Sequence, residues 1–164
     1  MNKQKPVKIT YIHTGEQDLD LIADLWCKLR LHHKERAPEV LKGYFDKVTF
    51  DERKSQLLEK SKNGGLLIDL AKDSSTGAVI GYCVSTVNEN KHGEIESIFI
   101  EEPFRRQHIG DHFMQSALKW MDARSVTRKI IGVGAGNEEV FGFYRRYGFY
   151  TRVHILTQVK EKEA

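Results

Sequence analysis

Three observations predict a mixed α/β fold, of class α+β with helices on both faces of a mixed central sheet, for this chain of 164 residues. Three strand-like runs follow one another between Gly64 and Glu101, separated only by the turn-rich KDSSTG and NENKHG, which is the pattern of an antiparallel meander. On either side of the meander, apolar residues recur at helical spacing. Beyond it strand and helix alternate, and β-α-β pieces require parallel crossovers. The predicted order is β-αα-βββ-α-β-α-β, in a single domain spanning residues 1–164.

Val7 to Ile12 reads as a strand, His13 to Asp18 as a turn, and Leu19, Ile22, Leu25, Trp26 and Leu29 as the buried stripe of a helix. Pro38 and Gly43 suggest a loop. A second helix is expected from Thr49 to Lys60, capped by Thr49 or Asp51 and anchored by Leu57 and Leu58. The meander GLLIDLA, AVIGYCVSTV, GEIESIFIE follows. A third helix is expected from about Arg106 to Arg124, with Ile109, Phe113, Met114, Ala117, Leu118 and Met121 on one face. A strand at Lys129 to Val133, a helix at about Glu138 to Tyr147 and a strand or strand pair from Phe149 to Val159 complete the reading.

The excess of Lys and Arg over Asp and Glu is only +3, far short of a nucleic-acid-binding pattern. No apolar run approaches the roughly 18 residues that a membrane span needs. The N-terminal MNKQKPVKIT lacks the apolar core of a signal peptide. Cys27 and Cys83 sit in apolar runs, where a thiol is buried and inert, and a cytoplasmic location is expected.

The segment IESIFIEEPFRRQHIGDHF concentrates the chemistry. A strand ends, a loop bearing Arg105, Arg106, Gln107 and His108 follows, and a helix opens with Ile109, Gly110 and Asp111. Such a junction offers unpaired N–H groups and the positive end of a helix dipole to an anion, phosphate above all. His108 and His112 are four apart on a helix, the spacing of metal ligands, but no third ligand lies near and no metal is expected.

The run Arg105 to Gly110 resembles the GNAT signature Gln/Arg-x-x-Gly-x-Gly/Ala, matching at Arg105 and Gly110 and carrying His108 where glycine is usual. A positive φ is expected there, and His is among the residues that tolerate one. Thirty residues on, NEEVFGFYRRYGFY is similar to the family's Asn-x-x-Ala-x-x-Phe-Tyr-x-x-x-Gly-Phe segment. Asn137, Phe143, Tyr144, Gly148 and Phe149 coincide, with Val140 in place of alanine.

The resemblance implies the GNAT acyl-CoA N-acyltransferase fold and transfer of acetyl from acetyl-CoA, a cosubstrate, to an amine of a small molecule or peptide. It implies that the backbone amides of residues 105 to 111 hold the pyrophosphate, and that Ile98, Phe99 and Ile100 pair with pantetheine as a further strand would. Asn137 and Tyr144 complete the coenzyme site. It assigns Ile98 N–H to the developing oxyanion and Tyr144 to general acid. Gly132 and Gly134 fit the strand facing the cleft, and Arg145 and Arg146 the nucleotide 3′-phosphate.

For the general base, Glu94 matches the family's position, while Glu96 and a water chain remain open. Alternation puts both carboxylates on one strand face, together with Ile98 and Ile100. His32, His33, Trp26, Tyr44 and Phe45 are candidates for the acceptor pocket. The competing reading is a non-catalytic CoA-binding regulatory module. Sheet edges near the C-terminus are compatible with a homodimer.

Overall fold

A computed structural model describes residues 7–159 and lays five strands side by side in chain order: β1 (Ile9–Thr14), β2 (Gly65–Asp73), β3 (Val79–Val87), β4 (His92–Ile100) and β5 (Arg128–Ile131). The first four pair antiparallel, and β5 joins β4 in parallel. The short turns predicted between the central runs allow the antiparallel pairs, and the crossover to β5 is made by a long helix, as a parallel neighbour requires.

Helices α1 (Ala23–Arg36), α2 (Lys42–Lys47) and α3 (Phe50–Ser61) cover one face. There Leu19, Ile22, Leu25, Leu29 and Leu57 pack on Ile68, Leu70, Tyr82, Val84 and Phe99. Helices α4 (Ile109–Ala123) and α5 (Phe141–Arg145) belong to the other face, where Phe113, Met114, Ala117 and Met121 meet Ala71, Ile80, Cys83 and Ile95. Burial on both faces explains why β2 and β3 read as continuous apolar runs rather than strict alternation.

Local chemistry sets several ends. Thr49 caps α3 through a reciprocal box, its hydroxyl accepting from Glu52 N at 3.2 Å while Glu52 Oε2 accepts from Thr49 N at 2.8 Å. The third predicted helix starts at Ile109 rather than Arg106, because Arg106 and His108 stand at φ 61° and 59°. The helix expected from Glu138 to Tyr147 is a 3-10 turn, Glu138–Val140, followed by α5. The 38–43 stretch, expected to be a loop, is instead a 3-10 turn, Glu39–Leu41, that runs into α2 at Lys42.

Two expectations are corrected. No strand forms between Phe149 and Val159: residues 150–159 are exposed and pair with nothing among the described residues, Ile155 at 85% and Leu156 at 94% exposure. The residues favour a strand, but a strand exists only with a partner ladder to take its N–H and C=O groups. Also, the β3–β4 register pairs Val84 with Ser97 but Ser85 with Ile95, so Glu96 is an extra, bulged residue. One inserted residue reverses the alternation beyond it. Glu94 and Glu96 both face α3, while Ile98 and Ile100 turn to the α4 side.

Candidate active-site cleft

β4 and β5 pair only from His92↔Arg128 to Ile95↔Ile131, yet β4 continues to Ile100 with β3 as its sole neighbour. Past Ile131 the two parallel strands part, and a cleft of about 630 Å³ opens between them. Ile98, Phe99 and Ile100 line it, with Gly132, Val133 and Gly134 opposite.

At one end of the cleft α4 begins. Its N-cap, His108, is left-handed (φ 59°, ψ 14°) and supplies no side-chain cap, so the first-turn N–H groups of Ile109, Gly110 and Asp111 are free of one. Arg105, Arg106, His108, Ile109, Gly110 and Asp111 all line the cleft here; Gln107 does not, its amide turning back to Pro103 O. Gly110 lies so close to α5 that a Cβ would stand 3.1 Å from Phe143 Cζ. The Asp111 carboxylate receives Tyr147 Oη, Arg146 at 2.9 Å and His108 Nδ1 at 3.1 Å. The Tyr147 hydroxyl, with help from the other two, holds Asp111 below the usual carboxylate range, and burial followed by that carboxylate pushes Tyr147 up to about 12.

Mid-cleft, Asn137 and Tyr144 face the opening. Asn137 Oδ1 is buried and has no hydrogen-bond partner among the described residues, a cost normally met by a ligand or water. Gly136 (φ 88°) brings this loop against α1: a Cβ there would stand 1.9 Å from Arg36 O. Tyr144 is 8% exposed, and burial raises its pKa well above the ordinary phenol value. It stays a neutral donor, and its hydroxyl bonds no described residue.

The far end lies under α1, α2 and α3, where Trp26, Arg30, His33, Tyr44, Phe45 and Arg53 line the wall. Burial and neighbouring positive groups lower the pKa of His32 and His33, which keeps them uncharged near neutrality. Glu96 enters this end with a side chain only 2% exposed. Its Oε2 takes Arg53 Nη2 at 2.9 Å, and its Oε1 takes Lys60 Nζ at 2.7 Å and Thr86 Oγ1 at 2.6 Å. Glu94 lies outside the large cleft, in a smaller hollow, with Oε2 on Lys60. Its Oε1 has no described hydrogen-bond partner and faces Gly132 across the cleft rim.

Arg30 and Arg53 escape the sequence reading, although one signal was available. Arg53 and Lys60 are seven apart on a helix and share a face, matching two acidic residues two apart on a strand. The metal spacing of His108 and His112 dissolves: His108 is exposed, whereas His112 stacks on Tyr11 at 3.5 Å on the sheet side. Among the described residues no three His, Cys, Asp or Glu side chains group as metal ligands. No helix among them is long and apolar enough to cross a membrane.

The family described as the Acetyltransferase (GNAT) family matches residues 26–149. No curated protein sequence matches at a significant level. Solved structures are similar throughout. A GCN5-related N-acetyltransferase from Ralstonia eutropha JMP134 aligns over 93% of this chain and 99% of its own, at 15% identity and TM-score 0.70. The PaiA N-acetyltransferase of Thermoplasma acidophilum, solved in complex with coenzyme A, aligns over 88% and 91%, at 17% identity and TM-score 0.66. AAC(6')-Iy, in complex with the bisubstrate analogue CoA-S-monomethyl-acetylneamine, aligns over 94% and 99%, at 13% identity and TM-score 0.60. At such identities the likeness establishes the fold.

Proposed function

The chain belongs to the GNAT acetyltransferase family, and from that premise we propose that it moves acetyl from acetyl-CoA to a primary amine of a small molecule or peptide by direct attack in a ternary complex. One observation carries the reading: the β4–β5 ladder stops at Ile95↔Ile131, and the half-paired remainder of β4 leads straight to an α4 N-terminus without a side-chain cap. A cosubstrate with a diphosphate at one end and an amide-bearing arm at the other fits that run of groups. The buried, unpartnered Oδ1 of Asn137 supports it by offering an acceptor to an arm amide.

Residues 105, 106 and 108 to 111 hold the diphosphate through backbone amides, aided by the Arg105 and Arg106 side chains, while Gln107 stays outside the cleft. Ile98, Phe99 and Ile100 hold the arm, and Ile98 N–H faces the thioester oxygen. The amine nitrogen attacks the carbonyl carbon, negative charge gathers on oxygen, and the C–S bond breaks. Tyr144 gives its proton to the departing sulfur; its burial keeps that proton available. Glu96 is a poor base, since Arg53, Lys60 and Thr86 occupy both of its oxygens. The free Oε1 of Glu94 supports a route in which the amine proton leaves through water to Glu94 at the rim. The unpaired Cys27 and the buried Cys83 suit a reducing cytoplasm.

Calorimetry with acetyl-CoA, followed by thiol release across a panel of amines, tests the reading. Heat of association and amine-dependent release are expected. Binding without release would favour the non-catalytic module, and the absence of both would overturn the assignment.

A further inference from the structure

The charges lining the cleft point to the acceptor class. Three carboxylates face it, and each is already paired with an arginine: Glu96 with Arg53 at 2.9 Å, Asp111 with Arg146 at 2.9 Å, and Glu139 with Arg36 at 2.7 Å. Glu96 is further engaged by Lys60. Among the described residues that line the cleft none offers an unspent carboxylate to the remaining ammonium groups of a polycationic acceptor, and Glu94, whose Oε1 is free, belongs to the smaller hollow outside it.

Cations are in surplus. Arg30, Arg105 and Arg106 line the cleft without a carboxylate partner among the described residues. Arg105 and Arg106 flank the α4 N-terminus, and Arg105 Nε is bound to Ile100 O at 2.9 Å. That leaves Arg30 as the uncompensated cation of the far end. Its Nη1 donates to Phe45 O at 3.0 Å and Val48 O at 2.9 Å, which fixes the guanidinium against α2 and the start of α3. Its Nε is buried without a partner, and Nη2 bonds none of the described residues. Nε and Nη2 form the edge of a guanidinium that takes a carboxylate with two parallel hydrogen bonds. An unmet buried donor is costly, and an anionic ligand would relieve that cost. Around it Trp26, whose ring centroid lies 5.8 Å from the Arg30 carbon, together with Leu29, Phe45 and Val48, offers an apolar wall.

We propose that the acceptor is a monoamine bearing a carboxylate and an apolar or aromatic body, of the amino-acid class, with its carboxylate on the Nε–Nη2 edge of Arg30. This rests on the acetyltransferase reading and narrows it.

Thiol release from acetyl-CoA would be measured for apolar and aromatic amino acids, for their amides and methyl esters, and for spermidine and an aminoglycoside. The carboxylate form is expected to exceed its amide and ester by about tenfold or more in kcat/KM, mostly through KM, the size of one charge-assisted pair. Arg30→Gln should remove that preference, bringing the kcat/KM of acid and amide together, and Arg30→Lys should keep part of it. Because Arg30 also secures two backbone carbonyls, the comparison of carboxylate with amide in the unaltered protein decides the matter even if neither variant folds. Equal rates for acid and amide, or a preference for spermidine or the aminoglycoside, would overturn the acceptor class and leave acetyl transfer standing. Acetyl-CoA binding without release for any amine would overturn both.

Discussion

Arg53 on α3 reaches the bulged residue of β4, its Nη2 lying 2.9 Å from Glu96 Oε2 and 3.3 Å from Glu96 O. The same arginine thus neutralises a carboxylate that is 2% exposed and satisfies the backbone where β4 leaves regular pairing. The bulge reverses the facing of everything beyond it, so this contact sits at the point where the residues that look into the cleft are set.

Arg53→Met should therefore destabilise the fold. Losing one member of a buried pair costs several kcal/mol when the other charge is stranded; here Lys60 and Thr86 stay on Glu96, so a loss of about 1–3 kcal/mol is expected. Urea unfolding measures it, and an unchanged midpoint would mean the pair contributes nothing to holding the bulge.

Tyr144→Phe removes one hydroxyl that no described residue engages, and the ring keeps its packing. Turnover should fall about 10- to 100-fold through loss of the proton donor, while acetyl-CoA affinity by calorimetry stays within about threefold. A parallel fall in both would turn Tyr144 from an acid into a binding residue.

Much of this was legible from residue order. The left-handed turn at His108 was expected because a side chain stands where the pattern wants glycine, and φ 59° is what is found. The stripe from Ile109 to Met121 and the Thr49 cap were readable because both are set by neighbours within a few residues. The bulge at Glu96 was not, because an extra residue in β4 is defined only against Val84 and Ser85 of β3. Nor was Arg30, whose partners, the carbonyls of Phe45 and Val48, are placed by the path of α2. The unpaired run from Tyr150 to Val159 fails for a similar reason: apolar alternation records a preference, and pairing needs a second strand.

Stability should fall between pH 7.5 and 5.5, in part through His112. Burial lowers the pKa of this ring, which stacks on Tyr11, and its Nε2 is buried without a described partner. Asp69 opposes the shift and His13 adds to it. The unfolded chain therefore takes up a proton near the ordinary imidazole value of 6.5 that the folded chain refuses, so stability is full above that pH and is lost as pH falls toward the folded value. His112→Phe keeps an aromatic ring on Tyr11 without a titrating nitrogen. Urea midpoints at the two pH values should differ less in this variant; an equal difference would remove His112 from the account.

Gly136→Ala and Gly142→Ala form a matched test of how the cleft loop is held. At Gly136 the new Cβ meets Arg36 O at 1.9 Å and φ is 88°, so the loop bearing Asn137 must withdraw from α1. At Gly142 nothing lies within 4 Å, and the residue is inside α5, where alanine is favoured. Gly136→Ala should cost more than about 1 kcal/mol in stability, and should weaken acetyl-CoA binding because Asn137 moves with the loop. Gly142→Ala should be neutral or slightly stabilising, with affinity intact. Thermal unfolding and calorimetry on the two variants separate the outcomes: full affinity in Gly136→Ala would show that the contact between this loop and α1 does not position Asn137 for the coenzyme.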